Sequence, residues 1–120
     1  MKNSLVADKS YVFAIRIINM YKKIVNDKKE YVLSKQLLRS GTAVGALVRE
    51  AEHAQSKADF LNKMNIALKE ANESVYWLML LKDTEYISEL TSAKLRSEAS
   101  ELVKLLASIV KTTKVNLGRH

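Results

Sequence analysis

Apolar residues recur along most of this chain at intervals of three and four, the spacing that gathers side chains on one face of an α-helix. In the first such stretch Phe13, Ile17, Met20 and Ile24 make one row, and Ala14, Ile18, Tyr21 and Val25 make the row beside it. Arg16, Asn19, Lys23 and Asn26 fill the opposite side, so the pattern predicts a helix from about Asp8 or Ser10 to Asn26. The run Asp27-Lys28-Lys29-Glu30 breaks the periodicity and reads as a solvated turn. A second helix is expected over about Val32–Ala54, with Leu37, Gly41, Val44, Val48 and Ala51 as its core row, flanked by Leu33, Leu38 and Gly45. A separate row, Ser40, Ala43, Leu47 and Ala54, lies on another side, and a helix apolar nearly all round is buried nearly all round.

Ser56 followed by Asp59 has the form of a capping box and opens a third helix. Its core row is Phe60, Met64, Ala67, Ala71, Leu78 and Leu81, supported by Leu61, Leu68 and Val75. The run from Val75 to Leu81 is apolar in every direction around the helix, and a loop follows near Asp83–Ile87. Ser88 or Thr91 caps a fourth helix that ends near Thr113, with Leu95, Ala99, Leu102, Leu106 and Ile109 inward and Val103 and Val110 alongside. Asn116–His120 reads as a frayed tail. Helices of about 25 residues, roughly 38 Å long, joined by short connections, predict an all-α, up-down-up-down antiparallel four-helix bundle. One domain accounts for residues 1–120, with its core at about 10–113. The second and third helices carry more apolar circumference than one bundle covers, which predicts a homo-oligomer.

Composition supports this fold. Proline is absent and the three glycines are Gly41, Gly45 and Gly118, too little turn chemistry for an all-β chain. Without cysteine there is neither a disulfide nor a thiolate metal site, which fits a reducing compartment. The longest apolar run is the stretch Val75–Leu81, whereas a membrane-spanning helix needs about 20 such residues. The first eight residues lack the apolar run and cleavage site of a signal peptide, and a soluble, cytoplasmic protein is expected.

Charge adds a candidate partner. Twenty basic residues against 13 acidic ones give a net charge of +7, a balance that favours an anionic partner such as RNA or DNA. Lys2, Lys9, Arg16, Lys22, Lys23, Lys28 and Lys29 make the first helix the main basic surface. Lys94, Arg96, Lys104, Lys111, Lys114 and Arg119 form a second on the fourth helix. The candidate nucleic-acid-binding residues are Arg16, Lys22, Lys23, Lys28 and Lys29; the competing reading is an ordinary solvated face. Tyr21 and Trp77 fall on apolar faces, whereas Tyr31 and Tyr86 fall in loops, and no aromatic platform interleaved with a basic groove is apparent.

Reactive constellations are scarce. Gly41 and Gly45 lie one helical turn apart and are assigned to close helix packing, because no Gly-x-Gly-x-x-Gly or Gly-Lys-Ser/Thr phosphate pattern accompanies them. Glu50-x-x-His53 has the form of half a ferritin-like dimetal site, with Glu70 and Glu73 as further carboxylates. The second histidine is missing, since the other one is His120 in the tail, and pairing of these glutamates with Lys69 or Arg39 is expected instead. No nucleophile–base arrangement is legible, so neither an enzyme nor a cofactor is predicted.

Two segments carry a family resemblance. Gln36-Leu37-Leu38-Arg39-Ser40-Gly41-Thr42-Ala43-Val44-Gly45-Ala46, with Glu50-Ala51 and Ser56-x-x-Asp59-Phe60, is the first. Ile66-Ala67-Leu68-Lys69-Glu70-Ala71-x-Glu73-Ser74-x-Tyr76-Trp77-Leu78 is the second. Together they resemble a bacterial four-helix bundle family that includes the proteins encoded by intervening sequences of 23S ribosomal RNA genes. The resemblance implies a ring-shaped homopentamer and kinship to basic pentameric accessory proteins of diversity-generating retroelements, which bind nucleic acid and the reverse transcriptase. It supplies no catalytic residues. The function expected is therefore a non-catalytic, homopentameric scaffold with a basic surface for RNA or DNA. The alternative is a structural or protein-interaction module with a protein partner and no nucleic-acid role.

Overall fold

The computed structural model describes residues 4–119; Lys2 and His120 lie outside them. Four helices, α1 (Ser4–Lys28), α2 (Leu33–Ala51), α3 (Lys57–Asp83) and α4 (Glu89–Asn116), make up an elongated bundle of 48 × 23 × 21 Å. No strand occurs among the described residues.

The helix boundaries follow from how the end groups are satisfied. α1 begins before Asp8, which brings Val6 into the core with Phe13, Ile17 and Ile24. The turn after α1 is more than solvated charge. The Glu30 carboxylate accepts hydrogen bonds from the backbone N–H groups of Val32, Leu33 and Ser34 at 2.9, 2.9 and 2.8 Å. It thereby satisfies three donors that an α-helix leaves unpaired at its start. α2 stops at Ala51, short of the expected Ala54, because the backbone tightens there: His53 N–H donates to Glu50 O and Ala54 N–H to Ala51 O. At α3 the expected cap is present, with Ser56 Oγ accepting from Asp59 N–H at 3.0 Å and Asp59 accepting in turn from Gln55 N–H.

α3 and α4 both close with the six-to-one and five-to-two hydrogen bonds of a Schellman motif. After α3, Tyr86 N–H donates to Leu81 O at 2.8 Å and Glu85 N–H to Lys82 O at 2.9 Å. Glu85 holds the left-handed position, φ 67°, that glycine usually fills. After α4, Gly118 takes that position at φ 70°, and Arg119 N–H donates to Lys114 O at 2.8 Å. Residues 117–119 thus terminate α4 in an ordered turn, a correction to the frayed tail, and the helix extends three residues past Thr113.

Consecutive helices meet with their residue numbers running in opposite directions. Gly41 faces Ile17 while Gly45 faces Ser10; Arg39 reaches Glu70 and Glu73 while Glu50 reaches Lys63; Leu78 meets Ser92 while Lys82 meets Glu89. A Cβ on Gly41 would stand 2.8 Å from Ile17 Cγ1, and one on Gly45 would stand 3.3 Å from the Ser10 carbonyl oxygen. The core row of α3 differs from expectation at two places: Phe60 is half-buried, and Ser74 is fully buried. The Ser74 hydroxyl lies 3.0 Å from both Ser40 Oγ and the Glu70 carbonyl oxygen, so a small polar side chain fits the interior without an unmet hydrogen bond.

The apolar surplus sits only partly where the periodicity implied. Ala43 and Leu47 of α2 are half-buried within the bundle. The exposed large apolar side chains concentrate on α1, at Leu5, Tyr11, Val12, Ile15 and Ile18, with Tyr76 and Met79 on α3.

Candidate nucleic-acid interface

The last two turns of α1 and the turn after it carry Lys22, Lys23, Lys28 and Lys29, all exposed. None of the four makes an ion pair among the described residues. The two acids adjacent to them are partly occupied, since Asp27 accepts from the Asn26 side-chain amide at 3.0 Å and Glu30 caps α2. Burial alone would raise the Glu30 pKa, but the backbone donors of Leu33, Ser34 and Val32 outweigh it and hold the carboxyl below its ordinary 4.5. Lys29 adopts φ 54° where the chain leaves α1. Lys35, exposed in the first turn of α2, extends the same basic end and lies outside the basic run of α1.

Arg16 stands apart from this group. Its Nε lies 3.1 Å from Glu98, and Lys9 lies 2.7 Å from Glu101, so both cations bridge α1 to α4. Of the basic residues on α4, Arg96 is engaged by Glu89 at 3.2 Å and donates to Ser92 Oγ. Beside the lysine cluster a groove of about 180 Å³ opens between α1 and the α3–α4 turn, lined by Met20, Ile24 and Tyr86 with Lys23, Asp27 and Lys28 at its polar side.

The residues weighed for a dimetal site do not converge. Glu50 pairs with Lys63 at 3.3 Å, and His53 is exposed beyond the end of α2. Glu70 accepts from Arg39 Nη1 at 2.9 Å, Glu73 from Arg39 Nη2, and Trp77 Nε1–H donates to Glu73 at 3.0 Å. The Trp77 donor holds the Glu73 carboxyl below its ordinary range, with Arg39 adding to the effect against the opposing pull of burial. The bond to Glu70 raises Arg39 in turn, and Glu73 reinforces it. Among the described residues no cluster of three or more His, Asp or Glu side chains is placed to hold a metal ion. What these residues form is a clamp between α2 and α3, joined at depth by the Ser40–Ser74 contact. The two segments that carried the family resemblance are its two halves.

No helix among the described residues is long and apolar enough to cross a membrane. The sequence profile of the 23S rRNA-intervening sequence protein family matches residues 2–108. A crystal structure of a protein of unknown function from the S23 ribosomal protein family of Bacteroides thetaiotaomicron superposes with a TM-score of 0.87. It is 59% identical in sequence, over 88% of this chain and 98% of that one. No curated protein matches. A profile that runs from α1 into α4, on a fold shared at this identity, settles the grouping: the chain belongs to the 23S rRNA-intervening sequence protein family.

Proposed function

We propose that this protein is a non-catalytic, homo-oligomeric scaffold of the cytoplasm, an up-down-up-down bundle assembling as a five-membered ring that binds RNA or DNA at its basic end. The observation that carries the reading is the group Lys22, Lys23, Lys28 and Lys29, exposed together at one end and free of ion pairs among the described residues. Repeated by rotational symmetry, such a group sums to a strong positive potential over one rim of the assembly. The family's name, which ties it to an intervening sequence of 23S rRNA, fits an RNA context. Arg16, held by Glu98, has a secondary place in this reading.

A second reading, a protein-interaction module without nucleic acid, is favoured by the apolar face of α1. Tyr11, Ile15 and Ile18 are 58%, 43% and 37% exposed, more apolar surface than a solitary helix face needs. The same face also offers a contact between copies. The two readings separate in one experiment: fluorescence anisotropy with labelled RNA and labelled duplex DNA, for the native protein and a variant with all four lysines changed to glutamine. Binding at low salt that the variant loses supports the nucleic-acid scaffold. Absence of binding to either nucleic acid leaves the interaction module as the better account.

A further inference from the structure

The four lysines explain attraction to phosphate but not which form of nucleic acid is held, and the α1–α2 turn carries a feature they leave unused. Tyr31 lies between α1 and α2, outside any helix, and is 54% exposed. Tyr11 and Tyr76 are as exposed, but they stand on helix faces, whereas Tyr31 stands in the turn that carries the lysines, beside Val32 at 71% exposure. Lys29 precedes Tyr31 by two residues, which places their Cα atoms at most about 7 Å apart. Lys28 and Lys35 lie within a further turn of chain on either side. Glu30, next to Tyr31 in sequence, commits its carboxylate to the backbone N–H groups that open α2. Lys28 also lines the groove that Tyr86 borders, so cationic groups connect the exposed ring to a partly apolar recess at the same end of the bundle.

We infer that this tip is built for single-stranded nucleic acid, with a base stacked on the Tyr31 ring and the flanking phosphates held by Lys28, Lys29 and Lys35. Stacking on an aromatic ring requires an unpaired base, whereas lysines alone accept duplex and single strand alike. An exposed ring beside unpaired lysines at this turn supplies the two kinds of contact, stacking and phosphate neutralisation, that sequence-tolerant single-strand binding combines. The inference rests on the nucleic-acid reading above and narrows it to one ligand form.

Its test is a comparison of a fluorescent 12-nucleotide RNA with the same RNA annealed to its complement, against the native protein, Tyr31→Ala and Tyr31→Phe. Tyr31→Ala is expected to weaken single-strand binding about 5- to 150-fold, the range of one stacked base, and to leave duplex binding within about twofold. Tyr31→Phe is expected to bind like the native protein, and the salt dependence of all three is expected to match, because no charge is removed. Equal loss on both ligands, or no loss on the single strand, overturns the stacking role while leaving the nucleic-acid scaffold intact. No binding of the native protein to either ligand removes both.

Discussion

Gly41 and Gly45 look equivalent in the sequence and differ in the fold. Replacing a mid-helix glycine with alanine gains about 0.8–1.0 kcal/mol of helix propensity. At Gly41 the new methyl meets the branched Ile17 side chain at 2.8 and 2.9 Å, and a β-branched residue in a helix has little rotamer freedom to yield. Gly41→Ala is therefore expected to destabilise by about 1 kcal/mol net, given overpacking costs of about 1–3 kcal/mol. At Gly45 the contact is 3.3 Å, to a backbone oxygen, and Gly45→Ala is expected to stay within about 0.5 kcal/mol of the native protein, since a slight shift offsets the propensity gain. Urea denaturation of the two variants reads the difference. Glu85 is the converse case. A non-glycine residue at φ 67° ends α3, and Glu85→Gly is expected to raise stability by about 0.5–1 kcal/mol through relief of left-handed strain. A higher urea midpoint with an unchanged slope is the outcome that supports this.

At the scale of elements, α2 depends on groups contributed by its neighbours. Its first turn hangs on Glu30, and its far side is clamped to α3 by Arg39 with Glu70 and Glu73. Glu30 and Glu73 both ionise below 4.5 in the folded chain. A carboxyl whose folded pKa is depressed binds fewer protons than in the unfolded chain, so its contribution is complete above about pH 4.5 and is lost as pH falls through the folded value. Thermal stability is therefore expected to fall on acidification below that point. Glu30→Gln is expected to unfold at lower temperature near neutrality and to show a flatter acid limb; an acid limb as steep as the native one would exclude the capping role. Arg39→Met strands Glu70, whose Oε1 already lacks a donor among the described residues. It is expected to cost more than the triple change that also replaces both glutamates by glutamine, because Glu70, the more buried partner, would keep its charge without a counter-ion.

These elements also mark what periodicity conveys. The four helices and most of their buried rows are legible because long helices repeat one face many times, as with Leu37, Val44 and Val48 on α2. The end of α2 at Ala51 is not, because nothing in the pattern distinguishes Ala54, three residues on, from another core position. Nor is the ordered end of α4, where Gly118 acts through its backbone. Ser74 escaped the core row because a hydroxyl reads as polar until Ser40 and the Glu70 carbonyl stand beside it. Of the candidate site, the lysine cluster is two adjacent pairs, Lys22-Lys23 and Lys28-Lys29, close enough in sequence to be visible there. The pairing of Arg16 with Glu98, 82 residues away, was not.

Among the described residues, exposed apolar side chains run along α1 and exposed lysines gather where α1 turns into α2. Apolar side chains such as Tyr11, at 58% exposure, are expected to be covered by another copy. Light scattering on the purified protein is expected to give several times 13.6 kDa at micromolar concentration. Ile15→Asp together with Ile18→Asp is expected to lower that mass while the helical signal persists.

Phosphate neutralisation by the basic end is read by the salt dependence of binding. Each phosphate neutralised on duplex DNA contributes about −0.9 to the slope of log affinity against log salt. Between about 50 and 200 mM salt the native oligomer is expected to lose roughly 10³–10⁵ in affinity if six to ten phosphates are engaged. The variant with glutamine at positions 22, 23, 28 and 29 is expected to give a markedly shallower slope at unchanged oligomer mass. A variant slope equal to the native one would contradict the assignment of the interface to this end of the bundle.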